Sequence, residues 1–159
     1  MFYFYIYQIN IDASDFIDII NISDGKLIMK ILDQLLNEYR RYLQSERTAL
    51  KTAIARHEDA ACYDDANLDK IRLNIVEVFS TLASADEARA RALNGPDAAI
   101  AACFRKAYLI RFQTITAPWS ERRAKAAQHG DTATTVIEEI KLQMAQSLKE
   151  AFEGTGGCV

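Results

Sequence analysis

From residue 27 onward the apolar positions recur with the three- and four-residue spacing of an α-helix. Leu32, Leu36, Tyr39, Leu43, Leu50 and Ala53 form one stripe, while Asp33, Glu38, Arg40, Arg41, Arg47 and Lys51 fall mostly off it. Glu46 interrupts the seam between Leu43 and Leu50, where an acid pairs with an arginine of a neighbouring helix or meets water. The pattern predicts a helix ending near Glu58–Cys62, then a loop, Tyr63-Asp64-Asp65-Ala66-Asn67, that carries capping residues. Leu68, Ile71, Ile75, Val78, Phe79 and Leu82 make the face of a second helix, which runs to Leu93 and stops at Asn94-Gly95-Pro96. Asp97 is expected to cap a third helix bearing Ile100, Phe104, Ala107, Tyr108, Phe112 and Ile115. Cys103, Leu109 and Ile110 widen its apolar arc and predict a central position in a bundle. Pro118 ends that helix or opens a short segment from Trp119 to His129, closed by Gly130. Asp131 or Thr132 caps a last helix with Ile137, Ile140, Met144, Leu148 and Phe152 on one face. The expected fold is all-α, a bundle of four long helices plus one short helix.

The first 28 residues do not share this period. Phe2, Phe4 and Ile6 alternate with Tyr3, Tyr5 and Tyr7, the spacing of an extended strand. A lone strand in a helical chain has to pair with a second copy or lie on the helices. A second reading rests on composition: residues 1–28 are crowded with Phe, Tyr, Ile and Asn, and residues 49–133 with Ala and Arg. The break falls just before Met29, as it would if upstream non-coding sequence were translated ahead of a start there. The domain reading is therefore an atypical extension over 1–28, a helical domain over 29–153 and a flexible tail over 154–159.

Composition narrows the class. The 159 residues are 50% hydrophobic and 26% charged, with six Gly and two Pro, which excludes a disordered or fibrous chain and suits one domain with a core. Cys62, Cys103 and Cys158 are odd in number and widely spaced, so reduced thiols and a cytoplasmic location are expected. Cys103 reads as a small core residue and Cys158 as part of the tail. No cation precedes Lys26 and no small-residue cleavage site follows the apolar start, which argues against a secretory signal. Gln8, Asn10 and Asp12 interrupt the same stretch far short of a membrane span.

Charge adds the most informative local feature. Between Asp97 and Asp131 the chain carries six cations, Arg105, Lys106, Arg111, Arg122, Arg123 and Lys125, against one acid, Glu121. That segment is +5 within a chain of −3, leaving −8 for the rest. Guanidinium groups suit bidentate contact with phosphate or carboxylate, and Trp119 among them can stack on a base or anchor a partner interface. These seven residues are the candidate anion- or partner-binding set. The competing expectation is a solvated face meeting the acids Glu58, Asp59, Asp64, Asp65, Asp69, Glu138 and Glu139. For Trp119 the competing role is packing the short helix onto the bundle.

Catalytic and metal signatures are weak. His57, Glu58, Cys62, Asp64 and Asp65 are metal-capable, but their spacing matches no recognised ligand motif, and a helix end with capping acids explains them. No metal, cofactor or catalytic residue is expected from the sequence, and neither a nucleophile elbow nor a glycine-rich phosphate loop is present. The leading functional expectation is a non-enzymatic module for protein–protein contact, self-associating or bound to a protein partner, with no membrane role. The alternatives are a nucleic-acid-associated regulator using residues 105–125, and a small-ligand binder or enzyme with a pocket near Glu46 and His57.

Overall fold

Four helices follow one another with short connections: α1 (Gly25–Asp59), α2 (Tyr63–Arg91), α3 (Asp97–Gln128) and α4 (Thr132–Gly154). The computed structural model describes residues 25–155, with side chains from Leu32 onward. The strand expected over residues 2–11 and the glycine-rich end of the tail lie outside the described residues. Residues 25–28 belong to α1, so the compositional break before Met29 falls inside a helix. Among the described residues the fold is the expected all-α bundle, without strands.

α1 pairs chiefly with α2 and α3 with α4, as connections of a few residues require of antiparallel neighbours. α2 and α3 form the inner pair, and α1 touches α4 least. The stripe expected on α1 is the one buried, with Leu35 added and Ala53 only half-buried. On α3 the buried face is Ala101, Phe104, Tyr108 and Phe112, whereas Ile110 is 49% exposed and does not widen it. α4 buries Ile140, Met144, Ala145, Leu148 and Phe152.

The aromatic rings make the centre. Tyr108 of α3 meets Tyr39 of α1, Phe79 of α2 and Phe152 of α4 at centroid distances of 5.6, 6.4 and 4.8 Å. Phe79 stacks on Phe112 at 4.3 Å. One side chain thus touches all three other helices, in the edge-to-face arrangements that rings favour.

Three local expectations need correction. α2 begins at Tyr63, so residues 63–67 are helix and not loop. Asp64 and Asp65 lie in its first turn, where acids complement the N-terminal dipole, and Ala61 turns the corner with φ +56°. Pro96, not Asp97, is the N-cap of α3, and Asp97 is the first helical residue. The expected short helix is continuous with α3, because Pro118 sits inside that helix. Pro118 and Thr114, whose carbonyl loses its donor, are both exposed, so water can satisfy that oxygen. Phe112 packs before Pro118 and Trp119 after it, on one core, and this favours continuing the helix. At the far end Gly130, with φ +69°, supplies the left-handed turn, and Asp131 caps α4 by accepting the Thr134 amide at 3.0 Å.

The face of α2 is rotated from expectation. Leu68, Ile71, Val78 and Leu82 are half-buried, while Ala66, Asp69, Ile75, Val76, Phe79, Ala83, Asp86 and Ala90 are buried. Two aspartates occupy the packed stripe, and Arg72 and Arg89 of α2 with Arg111 of α3 compensate them.

Candidate functional site

Most of the basic segment is used inside the fold. Arg111 donates to both carboxylate oxygens of Asp86, at 3.0 and 2.9 Å, across the α2–α3 seam. Arg89 adds a third bond to the same carboxylate at 3.0 Å. This pairing holds the Arg111 guanidinium above its ordinary pKa. Arg105 donates to the carbonyls of Thr155 and Glu153 at 3.2 and 3.1 Å and lies over the Phe152 ring, closing the C-terminus of α4. Arg123 pairs with Glu139, whose carboxyl is held below the usual carboxylate range by that hydrogen bond. Arg122 approaches buried Glu138 at 3.7 Å and donates to the Pro118 carbonyl at 3.2 Å. Lys106 and Lys125 are exposed and make no ion pair within the described residues. Trp119 is half-buried against the core.

A groove of about 630 Å³ runs between α3 and α4 beside these groups. Phe112, Leu142 and Ala145 supply apolar contact, Gln113, Thr116 and Gln143 supply hydrogen-bonding groups, and the Arg123–Glu139 pair lies among the lining residues. Arg123 is the member of the sequence-derived set that lines it; Trp119 does not. A smaller hollow of about 210 Å³ is lined by Leu32, Arg91, Asp97 and Ile100.

Glu46 is half-buried on α1 and makes no ion pair among the described residues, so the arginine partner expected for it is absent there. Its neighbour Arg47 crosses instead to Glu77 of α2, with bonds of 2.7 and 2.8 Å that lower the Glu77 carboxyl below its usual range. Asp33–Arg91, Arg40–Glu87 and Glu58–Lys70 continue this α1–α2 lacing. Asp33, Arg40 and Arg47 stand seven residues apart, flanking the apolar stripe as coiled-coil edge charges do.

The α1–α2 corner brings part of the metal-capable cluster together. The ligand atoms of His57, Cys62 and Asp65 all lie within 4.8 Å of one another. Glu58 is taken by Lys70 at 2.6 Å, and Asp64 is not in the group.

Sequence reasoning missed the interior polar groups. Asp69, Asp86 and Glu138 are buried acids. The available signal was an aspartate at heptad spacing from Val76, Ala83 and Ala90 on α2. Tyr39 and Tyr108 share a 3.0 Å hydrogen bond in the core, and burial pushes both hydroxyl pKa values well above the ordinary tyrosine range. No helix among the described residues is long and apolar enough to cross a membrane. No protein-family model matches the chain, and comparison with curated proteins and with solved structures returns no match.

Proposed function

We propose that this chain is a non-enzymatic helical interaction module that acts by contact with another protein molecule, in the first instance a second copy of itself. The observation that carries this reading is the α3–α4 groove, open along two helices, with an apolar floor and amide-bearing walls. Such a surface suits an amphipathic helix laid along it, with side chains reaching the floor. Its lining contains neither His nor Cys, and its one acid is held in an ion pair.

Charge supports self-association over a polyanion. Four of the six cations in the basic segment are satisfied within the chain, which leaves Lys106 and Lys125 for outside contacts. Asp59 and Asp64 at the α1–α2 hairpin are exposed acids without ion pairs among the described residues, and a second copy offers them to those lysines. A two-fold arrangement would use each contact twice. The free thiols Cys62 and Cys103 support a reducing, cytoplasmic setting.

Native mass spectrometry of gently purified protein tests the reading, with absorbance at 260 and 280 nm recorded. A homo-oligomer is expected, and Leu142→Arg, which places a charge on the groove floor, should yield monomers with unchanged helix content. A monomeric wild-type chain, or assembly that survives Leu142→Arg, overturns the reading. Co-purifying nucleic acid removed by salt would instead assign the function to the basic segment, and a small bound mass would assign it to ligand binding.

A further inference from the structure

We infer that the α1–α2 corner is a binding site for a single zinc(II) ion, or a divalent ion of similar softness, held by His57, Cys62 and Asp65. Their ligand atoms lie within 4.8 Å of one another, although the three residues come from two helices and the turn between them. Zinc bonds of about 2.0–2.3 Å place tetrahedral donors about 3.5 Å apart. The exposed Cys62 and Asp65 side chains can supply the contraction by rotation, Cys62 by leaving its 3.7 Å contact with the Ala60 carbonyl.

The corner fixes these residues through its own backbone. The Cys62 amide donates to the His57 carbonyl at 2.8 Å, and the Ala66 amide to the Cys62 carbonyl at 3.1 Å. Asp65 therefore sits in the first turn of α2, near the thiol. Behind the imidazole, Asp69 places Oδ2 3.6 Å from His57 Nε2 and is itself held by Arg72 at 2.5 Å. A carboxylate beside one ring nitrogen can orient a metal-binding histidine and leave the other nitrogen for the metal; here Asp69 stands just beyond hydrogen-bond distance of Nε2.

The donor set selects the ion. One thiolate, one imidazole and one carboxylate suit zinc and cobalt, whereas calcium and magnesium take oxygen ligands. Binding releases the Cys62 thiol proton to solvent and leaves a fourth position for water. The ion would clasp the end of α1 to the start of α2, and none of its three ligands lines the α3–α4 groove, so loss of the ion and loss of the groove contact are separable.

The test uses the full chain, stripped with a chelator and titrated with cobalt(II), then with zinc(II). One cobalt per chain is expected, with a thiolate-to-cobalt charge-transfer band and the intense visible bands of tetrahedral cobalt, both displaced by zinc. Cys62→Ser should abolish the charge-transfer band. His57→Gln and Asp65→Asn should each weaken binding by about 10-fold or more, and Asp69→Asn by about 10-fold through loss of ring orientation. Cys103→Ser and Cys158→Ser should leave the band unchanged. Absence of the band in the wild-type chain, or its persistence in Cys62→Ser, overturns the assignment. The substituted side chains of the first three variants are exposed or half-buried, and helix content by circular dichroism separates lost binding from lost folding.

Discussion

Tyr108 has one hydroxyl proton and two oxygen neighbours, the Phe79 carbonyl and the Tyr39 hydroxyl, each at 3.0 Å. The carbonyl only accepts, so the Tyr108 proton goes to it and Tyr39 must donate to Tyr108. The two deletions are therefore unequal. Tyr39→Phe removes one bond and leaves Tyr108 donating, a loss of about 0.5–1.5 kcal/mol, whereas Tyr108→Phe strands the Tyr39 proton in the core and should cost about 1–3 kcal/mol. Denaturant unfolding of the two variants checks the order; an equal or reversed cost would refute the donor assignment. Asp86 follows the same logic with charge. Its side chain is 1% exposed and takes three guanidinium bonds, so it joins α2 to α3 instead of opposing the fold. Glu138 is less well compensated: Lys141 bonds one oxygen at 2.8 Å, and the other oxygen has no hydrogen-bond partner.

At the scale of the element, α3 is the informative case. An internal proline removes an amide donor and crowds the preceding turn, yet α3 runs unbroken from Asp97 to Gln128. Local propensity argues for a break, while core contacts of Phe112, Ile115 and Trp119 around Pro118 argue for continuity, and packing wins. Pro118→Ala should therefore stabilise the protein, by up to about 3 kcal/mol, because it restores the Thr114 hydrogen bond without disturbing a buried side chain. Chemical denaturation measures it. Destabilisation would mean that the proline sets a bend the bundle requires. The lacing of α1 onto α2 works differently: these ion pairs are largely exposed, each is worth little, and their role is to select register.

At the scale of the whole molecule, the buried tyrosines set an alkaline limit. Burial raises both pKa values in the folded state, so the folded chain retains two protons that the unfolded chain loses above its ordinary value of about 10. Stability from this source is intact below pH 10 and falls as pH rises beyond it, by about 1.4 kcal/mol per tyrosine per pH unit. Thermal unfolding between about pH 9 and 11 should show the decline. The double variant Tyr39→Phe/Tyr108→Phe should flatten it, and an unchanged slope would count against the burial argument. On the acid side the signs reverse. The carboxyls of Glu77, Glu139 and Asp131 are lowered by Arg47, by Arg123 and by the Thr134 amide respectively, so their contribution is present above the carboxylate range and fades as pH falls through it.

The four long helices, two of the three connections between them and the buried stripes of α1 and α4 were legible in the chain, because an amphipathic period and a helix stop are local properties. Asn94-Gly95-Pro96 and Gly130-Asp131 punctuate the backbone whatever packs around them. The face of α2 was not legible, since Asp69 and Asp86 are acceptable in a core only when Arg72 and Arg111 are in place, and the Arg111 partnership spans two helices. The basic segment shows the same divide. Its +5 charge is written in the sequence, but whether each guanidinium meets solvent or a carboxylate depends on which acids the bundle carries alongside it. His57, Cys62 and Asp65 match no linear ligand motif, and a corner between two helices brings them within reach of one another. Local patterning determined the elements; tertiary packing decided the partners, because a charge or ligand pair is set by distance in space rather than by separation along the chain.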